Sequence, residues 1–174
     1  ATLAFRLARF LFSEGGAPAE AGLFGDAAPP TSLHVVPENP VFRRVASSGH
    51  ADLLTVAREF DEKKGRLKTE ISVEAVRRIH PFLRMTAAEG GWRAVIVDSA
   101  EYLNTSSQNA LLKILEDPPK KTVLVLTTSQ PGSFLPTVRS RCRMVHMNPL
   151  PERTLGLLLD KRAPGLAEDE KAIL

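Results

Sequence analysis

The chain has 174 residues, 43% of them hydrophobic and 25% charged, with a formal net charge of +3. That mixture excludes a disordered chain, no run approaches the ~18 apolar residues of a membrane-spanning helix, and the lone Cys142 excludes an intramolecular disulfide or a cysteine-based zinc site. A pI near 9.2 permits contact with a polyanion, but so small an excess of cations does not by itself argue for one.

In chain order, Thr2-Leu-Ala-Phe-Arg-Leu-Ala-Arg-Phe-Leu-Phe12 sets Leu3, Leu7, Phe10 and Leu11 at helical spacing, which predicts a core-facing helix with Thr2 as its N-cap. An Arg-bearing, acid-poor transit peptide has a similar composition, and the apolar spacing suits a core helix equally well. Opening on Ala1 inside a periodic segment reads as a chain that continues upstream, and Lys171-Ala-Ile-Leu174 stops without a cap. The Gly/Pro/Ala-rich run across 13–32 buries too little surface to order itself and reads as a mobile surface loop.

His50-Ala-Asp-Leu-Leu-Thr-Val56 reads as a short strand, and Asp61 to Lys68 as a charged connection. Ser72 then caps a helix with Val73, Val76, Ile79, Phe82 and Leu83 on one face, which Pro81 kinks or divides. Arg93-Ala-Val-Ile-Val-Asp98 is an apolar strand closed by an acid. A helix from Thr105 to Glu116 follows, with Ala110, Leu111, Ile114 and Leu115 inward, and Pro118-Pro119 stops it. Thr122 to Thr128 has the composition of a strand buried on both faces. Ser133 to Arg143 reads as a short helix with Pro136 near its start, and Met144-Val-His-Met147 as a last strand.

Strands alternating with helices predict an α/β fold with a parallel sheet flanked by helices. From Pro149 the pattern turns helical, with Leu155, Leu157, Leu158 and Leu159 before Pro164-Gly165. The expected division is therefore 1–148 for the α/β domain and 149–174 for the beginning of a small helical domain. No internal repeat is visible.

Asp98 is the first chemical signal, because ligands of parallel α/β sheets sit at the carboxyl ends of strands, where an acid can hold Mg²⁺ through water. A strand-terminal Asp is more often only a turn residue. Arg141, read alone, is one member of a basic run, Arg139-Ser-Arg-Cys-Arg143. His34, His50, His80 and His146 have no ligand spacing and read as packing or surface residues.

The order of three pieces carries more than any one of them. Asn109-Ala-Leu-Leu-Lys-Ile-Leu-Glu-Asp-Pro-Pro119, then Thr127-Thr-Ser-Gln-Pro131, then Leu135-Pro-Thr-Val-Arg-Ser-Arg-Cys142 resembles the AAA+ domain of the bacterial clamp-loader subunits. His50-Ala-Asp-Leu-Leu54, Ile71-Ser-Val-Glu-Ala-Val-Arg-Arg-Ile79 and Thr86 to Asp98 extend the similarity over most of residues 1 to 150.

The resemblance implies a P-loop NTPase-like fold followed by a helical lid, in a cytoplasmic ring assembly that loads a sliding clamp on primed DNA with gamma/tau- and delta-type subunits as neighbours. It makes Asp98 the Walker B acid and Thr128-Ser129 the position that senses the γ-phosphate. It makes Arg141 an arginine finger reaching a neighbouring subunit's ATP site, a role suited to a permanently charged fork.

The departures are as informative as the matches. Active ATPases of the family carry a Glu after the Walker B Asp, and Ser99 stands there. A hydroxyl cannot replace a carboxylate base, whose assistance is typically worth ~10² to 10⁴ in rate. Glu101, two residues further, is expected to point elsewhere. The chain contains no Gly-x-x-x-x-Gly-Lys-[Ser/Thr]; the family pattern places its Gly-Lys just before Ala1, so that Ala1 stands where the Mg²⁺-binding hydroxyl belongs, unless Thr2 takes over. The family's zinc-binding cysteines are missing from 13–50, so no zinc is expected.

The resemblance thus implies a subunit that helps its neighbour without hydrolysing ATP itself, with ATP and Mg²⁺ at a degenerate site of its own or at the neighbour's. The alternatives are an active gamma/tau-type ATPase, against which Ser99 argues, and another AAA+ relative such as a helicase loader, disfavoured by Arg139-Ser-Arg-Cys142.

Overall fold

Every residue of Arg93–Val97 is buried, and the fold is built on the two faces of this strand. A computed structural model describes residues 1–13, 32–89 and 91–162. The expected mobile loop lies, from 14 to 31, outside the described residues, as do Pro164 and Gly165. The elements are α1 (Thr2–Ser13), α2 (Pro40–Ala46), β1 (Leu53–Val56), β2 (Phe60–Asp61), β3 (Arg66–Leu67), α3 (Val73–Arg77), α4 (Ile79–Arg84), β4 (Arg93–Val97), α5 (Thr105–Glu116), β5 (Thr122–Leu126), α6 (Pro136–Arg139) and α7 (Glu152–Arg162).

The expected parallel sheet is present in the order β1-β4-β5, with Leu53 opposite Ala94 and Ala94 opposite Val123. Because successive side chains alternate across a strand, β4 serves two cores. Val95 and Val97 join Val56, Ile71, Val76, Ile79, Leu111 and Ile114 on one face. Ala94 and Ile96 meet Ala4 and Ala8 of α1 on the other.

That second face corrects the reading of the first helix. Its buried residues are Ala4 and Ala8, one turn apart, while Leu3 is exposed and Leu7, Phe10 and Leu11 are half-buried. Two small side chains let the helix backbone approach the sheet, and Phe5 and Phe12 close the flanks of the contact. Thr2 begins the helix rather than capping it.

Central β4, not β5, is the strand buried on both faces. All five residues of β5 are half-buried, because it lies at the edge of the sheet among the described residues. The charged connection of 61–68 contains a hairpin, β2 against β3. Asp61 Oδ1 accepts from the Lys63 and Lys64 amides, and Gly65 supplies the left-handed backbone (φ 61°) that closes the turn.

Ser72 caps α3 as expected, its hydroxyl accepting from the Ala75 amide at 3.2 Å. The helix is then divided, with α3 ending at Arg77, four residues before Pro81. This is the carbonyl the proline ring excludes, whereas Pro81 itself sits in the first turn of α4, where no donor is needed. α5 spans the predicted residues and is capped by Asn104. Its buried face is Ser107, Gln108, Leu111 and Ile114, with Ala110 and Leu115 only half-buried.

The two polar members of that face are satisfied internally. Ser107 donates to the Ile71 carbonyl, and Gln108 donates to the Leu103 and Ser133 carbonyls while accepting from the Leu135 amide at 2.7 Å. Gln108 therefore ties α5 to the segment that leads into α6. The helix expected over 133–143 is reduced to the four residues of α6, preceded by a 3₁₀ turn at Pro131–Ser133.

By its contacts the chain divides into Ala1–Cys142 and Arg143–Leu174. In the second unit α7 is helical, with Leu155, Leu157 and Leu158 exposed. Met144 to Met147 is not a strand; no described strand pairs with it, and Met144, Val145 and Met147 are exposed. None of the described helices is long and apolar enough to cross a membrane.

Candidate functional site

At the carboxyl end of β4 the backbone turns abruptly. Ser99 adopts a left-handed conformation (φ 56°, ψ 53°), an uncommon state for a residue with a Cβ. The turn is held from the adjacent strand. Thr127 Oγ1 accepts from the Ser99 amide at 3.2 Å and donates to Asp98 Oδ1 at 2.6 Å. Backbone bonds from Thr127 to Val97, from Ala100 to Thr127 and from Asp98 to Val56 lock the three strand ends together. Asp98 is thus a half-buried carboxylate with one oxygen fixed by a neutral hydroxyl.

Glu101, two residues beyond Ser99, folds back onto the end of β5. Ser129 Oγ donates to its Oε1 at 3.0 Å. Burial by itself raises this carboxyl's pKa, but hydrogen bonds from its own amide and from the Ser129 and Thr128 hydroxyls outweigh that and hold it below its ordinary value. A 3₁₀ turn at Ala100–Tyr102 produces the reversal, because its tight winding returns the side chain toward the sheet. Thr128 Oγ1 also accepts from the Gln130 amide, so the two proposed sensing residues lie in a hydrogen-bonded turn.

The structure places Asp98 at the end of β4 and Thr128 and Ser129 just past the end of β5, and the residues that hold them carry no sequence signal of their own. Thr127 holds Asp98, and Glu101 holds Ser129. The run Thr127-Thr-Ser129 contains three hydroxyls in succession, and only the strand register shows that the first faces Asp98.

Arg141 lies apart from this cluster in its bonding. Its Nη2 pairs with Glu116 Oε1 at 2.8 Å, and its Nη1 donates to the Thr137 carbonyl at 3.0 Å. The side chain remains 36% exposed. Next to it Cys142 packs against the core, and burial pushes its thiol pKa up, away from nucleophilic character. Among the described residues no three His, Cys, Asp or Glu converge into a metal-binding set.

The family described as DNA polymerase III, delta subunit, matches residues 30–151. The chain belongs to that family. Among curated relatives, it is 41% identical over 104 residues to DNA polymerase III subunit delta′ of Escherichia coli K12, covering 60% of this chain and 29% of the relative. It is 40% identical over 98 residues to subunit delta′ of Pseudomonas aeruginosa, covering 56% and 28%. A gamma/tau subunit of Mycobacterium tuberculosis H37Rv is 43% identical over 68 residues, 39% of this chain and 12% of the relative.

The matches to the delta′ subunits of E. coli and P. aeruginosa thus span less than a third of either relative's length. Among solved structures, a gamma subunit-related protein of Thermotoga maritima superposes with a TM-score of 0.55 at 27% identity, covering 74% of this chain and 42% of that one. The fold of the DNA polymerase III delta family member described above is thus the α/β, AAA+-like arrangement expected from its sequence.

Proposed function

We propose that this chain is part of a delta-prime-type clamp-loader subunit that supplies Arg141 to a neighbouring subunit's ATP site and does not hydrolyse ATP itself. The observation that carries the reading is the turn after β4. Asp98 is followed by Ser99, whose amide and backbone are committed to holding the turn, so the position that needs a water-orienting carboxylate has none. Glu101 does not replace it, since its Oε1 is bonded to Ser129 and it sits on the end of β5.

Asp98 fits the metal-facing role of a nucleotide site, because Thr127 occupies Oδ1 alone. Bound Mg²⁺ would supply charge neutralisation of the phosphates there. Thr128 and Ser129 fit the γ-phosphate-sensing role through their hydroxyls, although Glu101 competes for both. With a Ser in place of the base, such a site binds nucleotide better than it turns it over.

Arg141 acts in trans. A guanidinium placed against phosphoryl oxygens neutralises the charge that spreads over them in the transition state, and such fingers contribute ~10³ to 10⁵ in rate in other nucleotide hydrolases. The partners on this reading are gamma/tau- and delta-type subunits, the sliding clamp and primed DNA, all cytoplasmic.

A second reading, an active gamma/tau-type ATPase, is favoured by the 43% identity to gamma/tau subunits. One experiment separates them: DNA- and clamp-stimulated ATP hydrolysis by a loader reconstituted with the full-length subunit, wild type against Arg141→Ala, with the subunit alone as baseline. The expected result is a silent isolated subunit and a mutant ring that loses stimulation. Turnover by the isolated subunit favours the motor reading, and undiminished stimulation by the mutant ring removes the finger assignment.

A further inference from the structure

We propose that Glu116 is a cis competitor for Arg141, a latch that holds the guanidinium against its own subunit until phosphate oxygens displace it. The proposal rests on the finger reading of Arg141. Both terminal nitrogens of the side chain are engaged within the chain, Nη2 by Glu116 Oε1 at 2.8 Å and Nη1 by the Thr137 carbonyl at 3.0 Å and the Ser140 hydroxyl at 3.5 Å. These are the donors that a guanidinium presents to phosphate in a bidentate contact, so engagement in trans requires that the cis set be released.

The placement favours the pair. Glu116 is the last residue of α5, where unpaired helix carbonyls already concentrate negative charge, so a carboxylate there is poorly placed unless a cation answers it. Arg141 is that cation, brought across by the short turn of α6. Among the described residues Glu116 forms no other ion pair.

The latch biases and does not block. The two side chains are 36% and 52% exposed, so the pair exchanges freely and is screened by salt. Exposed ion pairs are worth about 0.2 to 1 kcal/mol, which corresponds to about a 1.4- to 5-fold bias toward the docked arginine. Phosphate oxygens compete with the carboxylate for the same donors, so the share of the arginine engaged in trans falls by that bias.

The test uses a loader reconstituted with full-length subunit, comparing wild type, Glu116→Gln, Glu116→Asp and Arg141→Ala in stimulated ATP turnover across a salt series. Glu116→Gln is expected to raise the rate about 1.4- to 5-fold at low salt, with the ratio to wild type falling toward one as salt screens the pair. Glu116→Asp keeps the charge and is expected to stay near wild type. A role for Glu116 confined to folding predicts loss, never a salt-sensitive gain.

A Glu116→Gln ring at or below the wild-type rate, with Arg141→Ala inactive, overturns the latch and leaves the finger standing. An Arg141→Ala ring with normal stimulation overturns the finger reading and the latch with it.

Discussion

Thr127 and Asp98 share a 2.6 Å hydrogen bond across neighbouring parallel strands, the hydroxyl donating to the carboxylate at the point where the sheet ends. The same hydroxyl accepts from the Ser99 amide, so one side-chain oxygen fixes both the acid and the left-handed turn behind it. Positioning of the candidate nucleotide-facing acid is thus a property of β5 as much as of β4.

Thr127→Val keeps the shape of the side chain and deletes the hydroxyl. It leaves the Ser99 amide without its acceptor and Asp98 without its donor, for an expected loss of about 1 to 2 kcal/mol in urea denaturation. Thr128→Val, whose hydroxyl serves a more exposed turn, is expected to cost less. Equal effects of the two substitutions would show that Thr127 has no special place in the site.

At the opposite end of the sheet Asp52 and Arg93 form a buried pair at 3.3 Å. Asp52 also accepts from the Ala88 and Glu89 amides, and Arg93 donates to the Phe82 and Thr86 carbonyls. Asp52→Ala leaves a buried guanidinium uncompensated, and the expected destabilisation is about 3 to 5 kcal/mol. Amide exchange at Ala88 and Glu89 is expected to accelerate ahead of the sheet; protection unchanged there would mean that Asp52 does not anchor the segment.

Stability should decline with acid in two windows. His50 is buried and stacked on Phe12 at 4.1 Å, and desolvation is the main cause that holds its pKa below 6.5, with Glu89 and Asp52 opposing and Arg44 assisting. The unfolded chain therefore binds the proton more readily, and stability falls as pH drops below about 6.5 toward the folded value. Glu101 also has a lowered folded pKa, so its contribution is present above 4.5 and is lost as pH falls through that lower value. In melts from pH 7.5 to 3.5, His50→Phe should flatten the upper window and Glu101→Gln the lower. A wild-type melting temperature flat between pH 7 and 5 counts against the His50 assignment.

Much of the fold was legible because its signals are local. Arg93–Val97 is an apolar run of strand length, and Ser72 is a cap whose hydroxyl bonds to an amide three residues on. Pro81 divides its helix by sterics confined to one turn. Met144–Met147, by contrast, has strand composition but no described partner, and a strand is defined by its neighbour. The face of α1 was misread for a related reason: hydrophobic size points to Leu3 and Leu7, whereas close approach to a sheet selects Ala4 and Ala8.

The candidate site shows the same division. The sequence by itself determined the family resemblance, the presence of Asp98 with Ser99 rather than an acid after it, and the basic run Arg139 to Arg143, all properties of residue type at a given spacing. Only the tertiary structure decided that Thr127 rather than Thr128 or Ser129 holds Asp98, that Glu101 returns to Ser129, and that Arg141 is paired with Glu116. Each of these joins segments distant in the chain, and hydrogen bonds and ion pairs form only within a few ångströms. Strand register and helix ends, set by burial of the apolar face, bring those atoms within reach.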